Sequence, residues 1–329
     1  MKMMLTMAAG LVLVFTTATA GSADTFGTGA NQFTIDFVTI SGDASSANGT
    51  NISQWPLGGA GYRTFADPGQ DYRIGVFEIT NDQWDKFKAA YGAVTGDPSS
   101  AYDTEPYFTG TNVPTNEVSW YEAAQFVNWL NTSTGHQAAY KFTGTQGTGD
   151  YALATWSTDE ADGGTNLYRH KDAFYYLPTE DEWVKAAYWN GTSLQEYATK
   201  PAETLHQGDG VSGTGWNYWD DGYATDPWGP WNVGSGSEEL NGTFDMMGNV
   251  WELMESPCTS GDYGTDSDRG LRGGSYGYPG SPLASSNGCG SFPDYVSYDI
   301  GFRVASEVPE PSCVVLLSFG ALALVRRRR

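Results

Sequence analysis

From Gly191 onward, the polar part of the chain shows no helical periodicity, because glycine, aspartate and aromatic residues alternate along it. Only short strand candidates stand out there, at 251–253, 271–273 and 301–305. The chain has 42 glycines, 12 tryptophans and 20 tyrosines, a composition that favours irregular loops held in place by large rings. These features argue against a helical bundle.

The helix signals lie in the first half of the chain. Helices are predicted where a Ser or Thr cap precedes an apolar stripe: 81–91 after Thr80, the segment from Ser119 to Gly135, and the segment from Thr179 to Trp189. Glu122 and Glu182 complete capping boxes in the last two. Strands are predicted at 31–39, 72–78 and 175–178. With no internal repeat and no linker, we predict one α+β domain, low in regular secondary structure, with a few helices in its N-terminal half.

The N-terminal segment has the three parts of a secretory signal peptide. Lys2 precedes an apolar stretch at 5–15, and the small residues 18–20 form a cleavage-like site. A buried core helix is the alternative, but it would have to begin at the first residue and end at that site. We therefore predict a signal peptide at 1–23 and export.

The C-terminal segment combines VPEPS at 308–312, mostly apolar residues at 313–325 and four arginines at 326–329. The apolar run would rise only about 20 Å as a helix, short of the roughly 30 Å hydrocarbon core. The segment resembles the PEP-CTERM sorting signal, which implies processing by an exosortase-type membrane protease and transient anchoring. We predict this tail at 307–329, which leaves 24–306 as the domain.

The charge balance restricts the partners. The chain has 17 Lys and Arg against 39 Asp and Glu, a formal net charge of −22. Such an acidic protein is a poor match for nucleic acid or an anionic membrane surface, and acidic loops suit calcium better.

Five segments follow one another in a fixed order: YRIGVFEITNDQWDKF (72–87), PTNEVSWYEAAQFVNWL (114–130), YYLPTEDEWVKAAYWNG (175–191), GTFDMMGNVWEL (242–253), and LRGGSY (271–276) with GFRVA (301–305). Together they resemble the formylglycine-generating enzyme, or sulfatase-modifying factor, family over about residues 35–305. The resemblance implies a C-type-lectin-like fold and, for the family's enzymes, oxidation of a sulfatase cysteine to formylglycine.

Asp245, Gly248, Val250 and Glu252 offer two carboxylates and two backbone carbonyls, with a glycine that permits a turn. Calcium takes six to eight oxygen ligands, so these groups with waters would form a site. The resemblance implies the same, since the four matching positions bind calcium in the family. Alternatively, Asp245 caps a turn and Glu252 pairs with a base such as Arg272.

Asn217, Tyr218, Asp221 and Tyr223 match the family's other calcium site, in which the two tyrosines would contribute carbonyl oxygens. The spacing between the two ligand pairs is much shorter here than in the well-known enzymes. The sequence therefore leaves this second site open.

The catalytic positions depart from the family. The resemblance implies a copper(I) site made by two cysteines, two and seven residues after the GGS(Y/W) segment; soft thiolates suit that ion. Tyr278 and Leu283 occupy these positions here. Neither can bind copper as a thiolate, so copper is not expected.

Cys258 and Cys289 are the cysteines outside the tail. In an oxidising compartment they form a disulfide or remain two inert thiols, and we favour both over a displaced metal site. Trp251 and Ser275 match residues that line the family's active-site floor. Alternatively, Trp251 fills the core and Ser275 satisfies a buried backbone group.

The related ergothioneine-forming sulfoxide synthases bind iron through histidines that come largely from an additional helical domain. This sequence has only His136, His170 and His206 and no such domain. Three separate histidines are more typical of loop or surface positions than of a metal site.

Two functional hypotheses follow. The first is a noncatalytic, calcium-stabilised binding or structural module on the cell surface or in its matrix, where extracellular polysaccharide or peptide would be the partner. A tryptophan-rich run could stack on such ligands or simply anchor loops: Trp216, Trp219, Trp228 and Trp231. The second is a formylglycine-generating oxidase with an altered site. No nucleophile and base stand at motif spacing, so a hydrolase or transferase has little support.

Overall fold

The computed structural model describes residues 21–52, 63–102 and 104–309. The predicted signal peptide and sorting tail lie almost entirely outside these residues. No helix in the described part of the chain has the length and apolar character needed to cross a membrane.

The strands and helices follow in the order β1 (Ser22–Phe26), β2 (Phe33–Ile40), β3 (Tyr72–Gly75), α1 (Asn81–Tyr91), α2 (Trp120–Ser133), β4 (Lys141–Thr143), β5 (Ala152–Ala154), β6 (Ala161–Asp162), β7 (Asn166–His170), β8 (Tyr175–Tyr176), α3 (Glu180–Tyr188), β9 (Trp251–Pro257), β10 (Arg269–Arg272), β11 (Cys289–Ser291), β12 (Ile300–Gly301) and β13 (Ala305–Glu307). The α+β class is confirmed. All three predicted α-helices form, in the first two thirds of the chain.

Two main sheets organise the fold. The first has the order β1-β2-β3-β13-β8 and joins the start of the described chain to its end. Along β2, Phe33, Ile35 and Phe37 are buried, and Thr34 and Asp36 between them are exposed. This alternation is expected of an antiparallel sheet with one face on the core.

The second sheet has the order β11-β10-β9-β12, and β12 runs parallel to β9. All seven residues of β9 are buried. A strand covered on both faces carries no alternation, which explains why the sequence indicated only its first three residues. Two further pairs, β4 with β5 and β6 with β7, are antiparallel.

Each helix begins at a complete capping box. The hydroxyls of Thr80, Ser119 and Thr179 each accept from the backbone N–H of the residue three positions later in the chain. The side chain of that later residue accepts in turn from the backbone N–H of the cap residue. The Gln83 partner of Thr80 was missed from the sequence. Satisfying these N–H groups fixes where each helix starts.

Aromatic packing fills the core around α2, which is buried from Trp120 through Asn131. The Phe126 ring lies 5.1 Å from that of Phe87 and 5.8 Å from that of Trp84. A second apolar cluster surrounds Trp183 of α3. The loops that carry the candidate site are attached to these two clusters.

Buried ion pairs join α3 to the strands. Arg169 of β7 donates to Glu182 of α3 at 2.9 Å and to Glu255 of β9 at 2.9 Å, and its guanidinium lies 3.5 Å from the centre of the Tyr176 ring. Arg272 of β10 donates to Glu180 at 2.8 Å. Sequence patterns gave no indication of these pairs.

Candidate functional site

A cavity of about 490 Å³ opens beside the second sheet. Trp251 at the start of β9, Leu271 of β10 and Ile300 of β12 form its buried side. Half of its remaining lining residues are aromatic: Tyr223, Trp228, Tyr276, Tyr278, Tyr295 and Tyr298. We call this cavity the aromatic cleft.

The outer rings of the cleft are unusually accessible. Trp228 is 41% exposed and Tyr223 50% exposed, and their ring centres lie 5.6 Å apart in a stacked arrangement. Tyr107, 61% exposed, stacks on Trp228 at 6.4 Å and contacts Tyr298 at 5.7 Å. Grouped exposed rings of this kind mark interaction sites on soluble proteins.

Tyr276 lies deeper, 2% exposed, and its ring lines the cleft. Its hydroxyl is buried without a hydrogen-bond partner among the described residues. Burial raises the pKa of this tyrosine, and the neighbouring Asp299 adds to the effect. The hydroxyl is therefore neutral, and none of the described residues uses its hydrogen-bonding capacity.

Asp299 is the charged group of the cleft. Ser275 donates to its Oδ2 at 3.1 Å, and Ser297 donates to its Oδ1 at 2.6 Å. Among the described residues, no Lys or Arg forms an ion pair with it or lines the cavity. Burial and the Asp299 charge raise the pKa of the nearby Glu117. The cleft is thus anionic and lacks an internal cation.

The two residues at the positions of the family's cysteines lie in different surroundings. Tyr278 lines the cleft, and its ring meets that of Trp251 edge-on at 5.3 Å. Leu283 is fully buried in the apolar cluster around Trp183, and its carbonyl accepts from Tyr188 Oη at 2.7 Å. Trp251 lines the cleft, and Ser275 stands beneath it as the partner of Asp299.

Both cysteines are free thiols near this site. Cys289 of β11 lines the cleft, and Cys258 lies against the next residue, Gly290. Burial raises the pKa of Cys289 to about 12, and the neighbouring Cys258 contributes. Burial likewise raises the pKa of Cys258. Because the thiolate is the metal ligand and nucleophile, neither group is activated.

The first predicted calcium set spans a buried turn. Asp245, Gly248 and Asn249 have positive φ angles of 62°, 87° and 59°. Asp245 Oδ2 accepts from the Gly234 N–H at 2.7 Å. Glu252 pairs with Arg303, not with Arg272, through two bonds of 2.6 Å.

The backbone carbonyls of Gly248 and Val250 are buried, and no hydrogen bond within the described ranges ends on either oxygen. Buried carbonyls are normally paired, so this pair is available to a cation. No three His, Cys, Asp or Glu side chains in the described ranges converge as a metal cluster. A calcium ion would therefore depend on these two carbonyls together with Asp245 and Glu252.

Glu78, which the sequence did not single out, adds a third carboxylate nearby. It is buried and accepts from Asn249 Nδ2 at 2.7 Å and from the Val250 N–H at 3.3 Å. Burial raises its pKa, and the charges of Asp245 and Glu252 raise it further. Burial also raises the pKa of Asp245 to about 6. The turn thus gathers three buried acids, Glu78, Asp245 and Glu252, around one base, Arg303.

The second predicted calcium set lies in a loop where some of the proposed ligand residues already form hydrogen bonds. The Asn217 amide donates to Gly229 O at 3.0 Å and to Asn249 Oδ1 at 3.1 Å. Gln207 Nε2 donates to the Tyr218 carbonyl at 2.5 Å. Asp221 and Tyr223 are exposed. The donor on the Tyr218 carbonyl competes with a cation there, and the second set stays a prediction.

The predicted tryptophan run divides by burial. Trp216 and Trp231 are buried anchors, and Trp219 is 37% exposed but does not line the cleft; only Trp228 does so. The histidines are scattered: each packs on a different ring, His136 on Phe174, His170 on Trp156 and His206 on Trp216.

The residues matched to a known family are 64–308, and the family is described as "Sulfatase-modifying factor enzyme 1-like domain". Treponema denticola variable protein 1 has a similar structure, with a TM-score of 0.56 and 17% identity over 87% of this chain and 99% of its own. CarF gives a TM-score of 0.54 and 21% identity over 84% and 99%. These likenesses show the fold. A comparison with curated proteins gave no match.

Proposed function

Because the chain belongs to the sulfatase-modifying factor enzyme 1-like family, we propose that it is a noncatalytic, calcium-stabilised member that binds a ligand in the aromatic cleft. One observation carries this proposal. The cleft presents accessible rings around a carboxylate, that of Asp299, which forms no ion pair with any of the described residues, while the thiols beside it are buried with raised pKa values.

The alternative is an oxidase with an altered site, and Cys289 on the cleft wall favours testing it. Copper(I) oxidation of a substrate thiol would need two thiolates in the site. Tyr278 provides a phenol at one family position, and Leu283 is fully buried. Moreover, burial keeps Cys258 and Cys289 protonated at neutral pH. These features support binding over oxidation.

Calcium belongs to the proposal as a structural ion. Asp245 and Glu252 would contribute carboxylate oxygens, and Gly248 and Val250 carbonyl oxygens; waters would complete the shell. The ion would offset the crowded acids of the turn and so hold the loop that leads into Trp251.

Export and display at the cell envelope form the cellular part of the proposal. The signal-peptide pattern at 1–23 and the sorting-signal pattern at 307–329 support it, with an exosortase-type protease as processing partner. Extracellular polysaccharide or peptide would then be the ligand within reach, and the acidic charge makes nucleic acid a poor one.

The binding proposal is tested on the purified chain with a glycan array and calorimetry. We expect binding that Trp228→Ala weakens about tenfold, as for the loss of one stacking ring, and that the matched variant Trp219→Ala leaves unchanged. If no glycan or peptide binds, the ligand-binding function is wrong and a structural role remains.

The oxidase alternative is tested separately. The chain is incubated with copper and a peptide carrying CxPxR, and mass spectrometry follows the conversion of cysteine to the aldehyde. We expect no conversion above that of a Cys289→Ser variant. Formylglycine formed at catalytic rates would overturn the noncatalytic assignment.

A further inference from the structure

The charge of the aromatic cleft restricts what it can hold. Apart from the tyrosines and Cys289, Asp299 is the only ionisable residue among those that line the cleft in the described part of the chain. Its partners are the hydroxyls of Ser275 and Ser297, which carry no charge. A cation that entered the cleft would therefore meet an uncompensated carboxylate.

The aromatic rings of the cleft also favour a cationic ligand. Trp228, Tyr223 and Tyr298 are 41%, 50% and 46% exposed, so part of each ring is open to a ligand. The faces of aromatic rings carry negative potential and attract ammonium groups, most strongly at Trp. The same faces stack on the apolar faces of sugar rings. A ligand that has both a sugar ring and a positive charge matches both features.

Anionic ligands are disfavoured for the same reason. Burial and Asp299 already raise the pKa of Glu117, so that neighbouring carboxyl is sensitive to more negative charge. The protein as a whole has a formal net charge of −22. A uronic acid or a sulfated sugar would add repulsion that the cleft has no base to offset.

Resting on the proposed binding function, we propose that the aromatic cleft binds a polysaccharide with free, protonated amino groups, one of which pairs with Asp299 while the pyranose ring stacks on Trp228. Ser291 and Ser297 line the cleft and provide hydroxyls for the sugar hydroxyls. Seven of the fifteen lining residues are aromatic, which favours a stacked sugar over a basic peptide.

Calorimetry with three β-1,4-linked hexamers tests this assignment on the full chain. The hexamers are those of glucosamine, N-acetylglucosamine and glucose, at a pH where the amines are protonated. We expect the glucosamine hexamer to bind about tenfold tighter than the other two, which is the effect of one added charge contact. Raising the ionic strength from about 0.05 M to about 0.5 M should weaken that hexamer alone.

Variants locate the effect. Asp299→Asn should remove the tenfold preference and keep binding of the glucose hexamer, whereas Trp228→Ala should weaken all three. Asp172→Asn, 68% exposed in its side chain and outside the cleft, is the matched control. If Asp299→Asn does not fold, competition between the glucosamine and glucose hexamers on the unmodified chain keeps the test valid, because it shows whether both occupy the same site.

The failures are distinguishable. Equal affinity for the three hexamers would overturn the amine preference and leave the binding function standing. Binding of hexalysine but of no hexamer would overturn the polysaccharide assignment in favour of a basic peptide. Binding of no ligand at all would overturn both this inference and the proposed ligand binding.

Discussion

At the residue scale, burial determines what the two thiols can do. Cys289 faces the cleft but is largely covered by protein, and its pKa rises to about 12 because the thiolate would be poorly solvated. Cys258 is held close to it, against Gly290. Cys289 therefore lines the cleft but stays protonated and unreactive there.

We predict slow alkylation of Cys289 in the folded protein. The thiolate fraction at pH 8 should be lower than in the unfolded chain, whose cysteine pKa is about 8.5, so the rate should fall by at least about a hundredfold. The rate should still increase tenfold per pH unit from about pH 9 to about pH 11. Iodoacetamide labelling with peptide mapping measures both. A plateau near neutral pH would contradict the prediction.

Loss of the Arg169 side chain should strongly destabilise the fold. It bridges Glu182 and Glu255 in the interior, and all three side chains are almost fully buried. Arg169→Met should lower the free energy of unfolding by about 3–5 kcal/mol, because two carboxylates remain without a cation. The deficit should shrink at acidic pH, since protonation removes the stranded charges.

Denaturant unfolding at two pH values measures this effect. Lys88→Met is the control: its side chain is 32% exposed and pairs with exposed acids, so about 1 kcal/mol or less is expected. An equal loss of unfolding free energy in both variants would show that the buried ion pairs of Arg169 stabilise the fold no more than exposed ones do.

At the element scale, the cap of α3 connects helix formation to the ionic network. Glu182 accepts from the Thr179 N–H at 2.7 Å and also receives Arg169. The helix start is thus determined by the same carboxylate that joins α3 to β7. The sequence showed only the T-x-x-E pattern and did not indicate that Glu182 also pairs with Arg169.

Thr179→Ala should destabilise the protein by about 1 kcal/mol, because the N–H of Glu182 loses its acceptor. Thr179→Ser should retain most of the stability, since the hydroxyl remains. Chemical unfolding of both variants at fixed calcium provides the comparison. No difference between Ala and Ser would mean that the hydroxyl does not contribute.

The accuracy of the sequence predictions differs between elements for physical reasons. Helices α1 to α3 were predicted nearly to their ends because caps and apolar stripes are local signals. Strands β4, β5 and β6 have two or three residues, too few for an alternation to show. Strand β1 was missed beside the predicted signal peptide, although it pairs with β2 over five residues.

The candidate site was predictable only in part. Trp251, Tyr278, Asp245 and Glu252 carried local patterns and lie at the cleft or at the turn beside it. Asp299 was not recognised, because its importance depends on lacking a basic neighbour, a property of the folded chain. The same holds for the ring partners of Trp228, which come from segments far apart in sequence.

At the scale of the whole molecule, the turn at 245–252 connects the two main sheets. Arg303, beside the last strand of the first sheet, pairs with Glu252 in the second sheet and donates to Gly75 O at 3.0 Å. Glu78, after β3, reaches the same turn through Asn249. A cation there would therefore stabilise the contact between the two sheets and not merely one loop.

We accordingly predict that calcium raises the stability of the whole domain. If the ion binds only the folded state, a concentration one hundred times its Kd adds about 2.7 kcal/mol, which thermal unfolding would detect as a shift of several degrees. Magnesium should do less, because it demands a regular octahedral shell and dehydrates reluctantly.

Two aspartate variants decide which residues hold the ion. Asp245→Asn removes a ligand charge from the buried turn and should abolish most of the calcium-dependent shift in Tm. Asp221→Asn, an exposed residue of the second predicted set, should leave the shift intact. Calorimetric titration of chelator-treated protein gives the stoichiometry independently. One ion lost with Asp245→Asn would support the turn as the calcium site; an unchanged titration in that variant, or loss with Asp221→Asn, would contradict it.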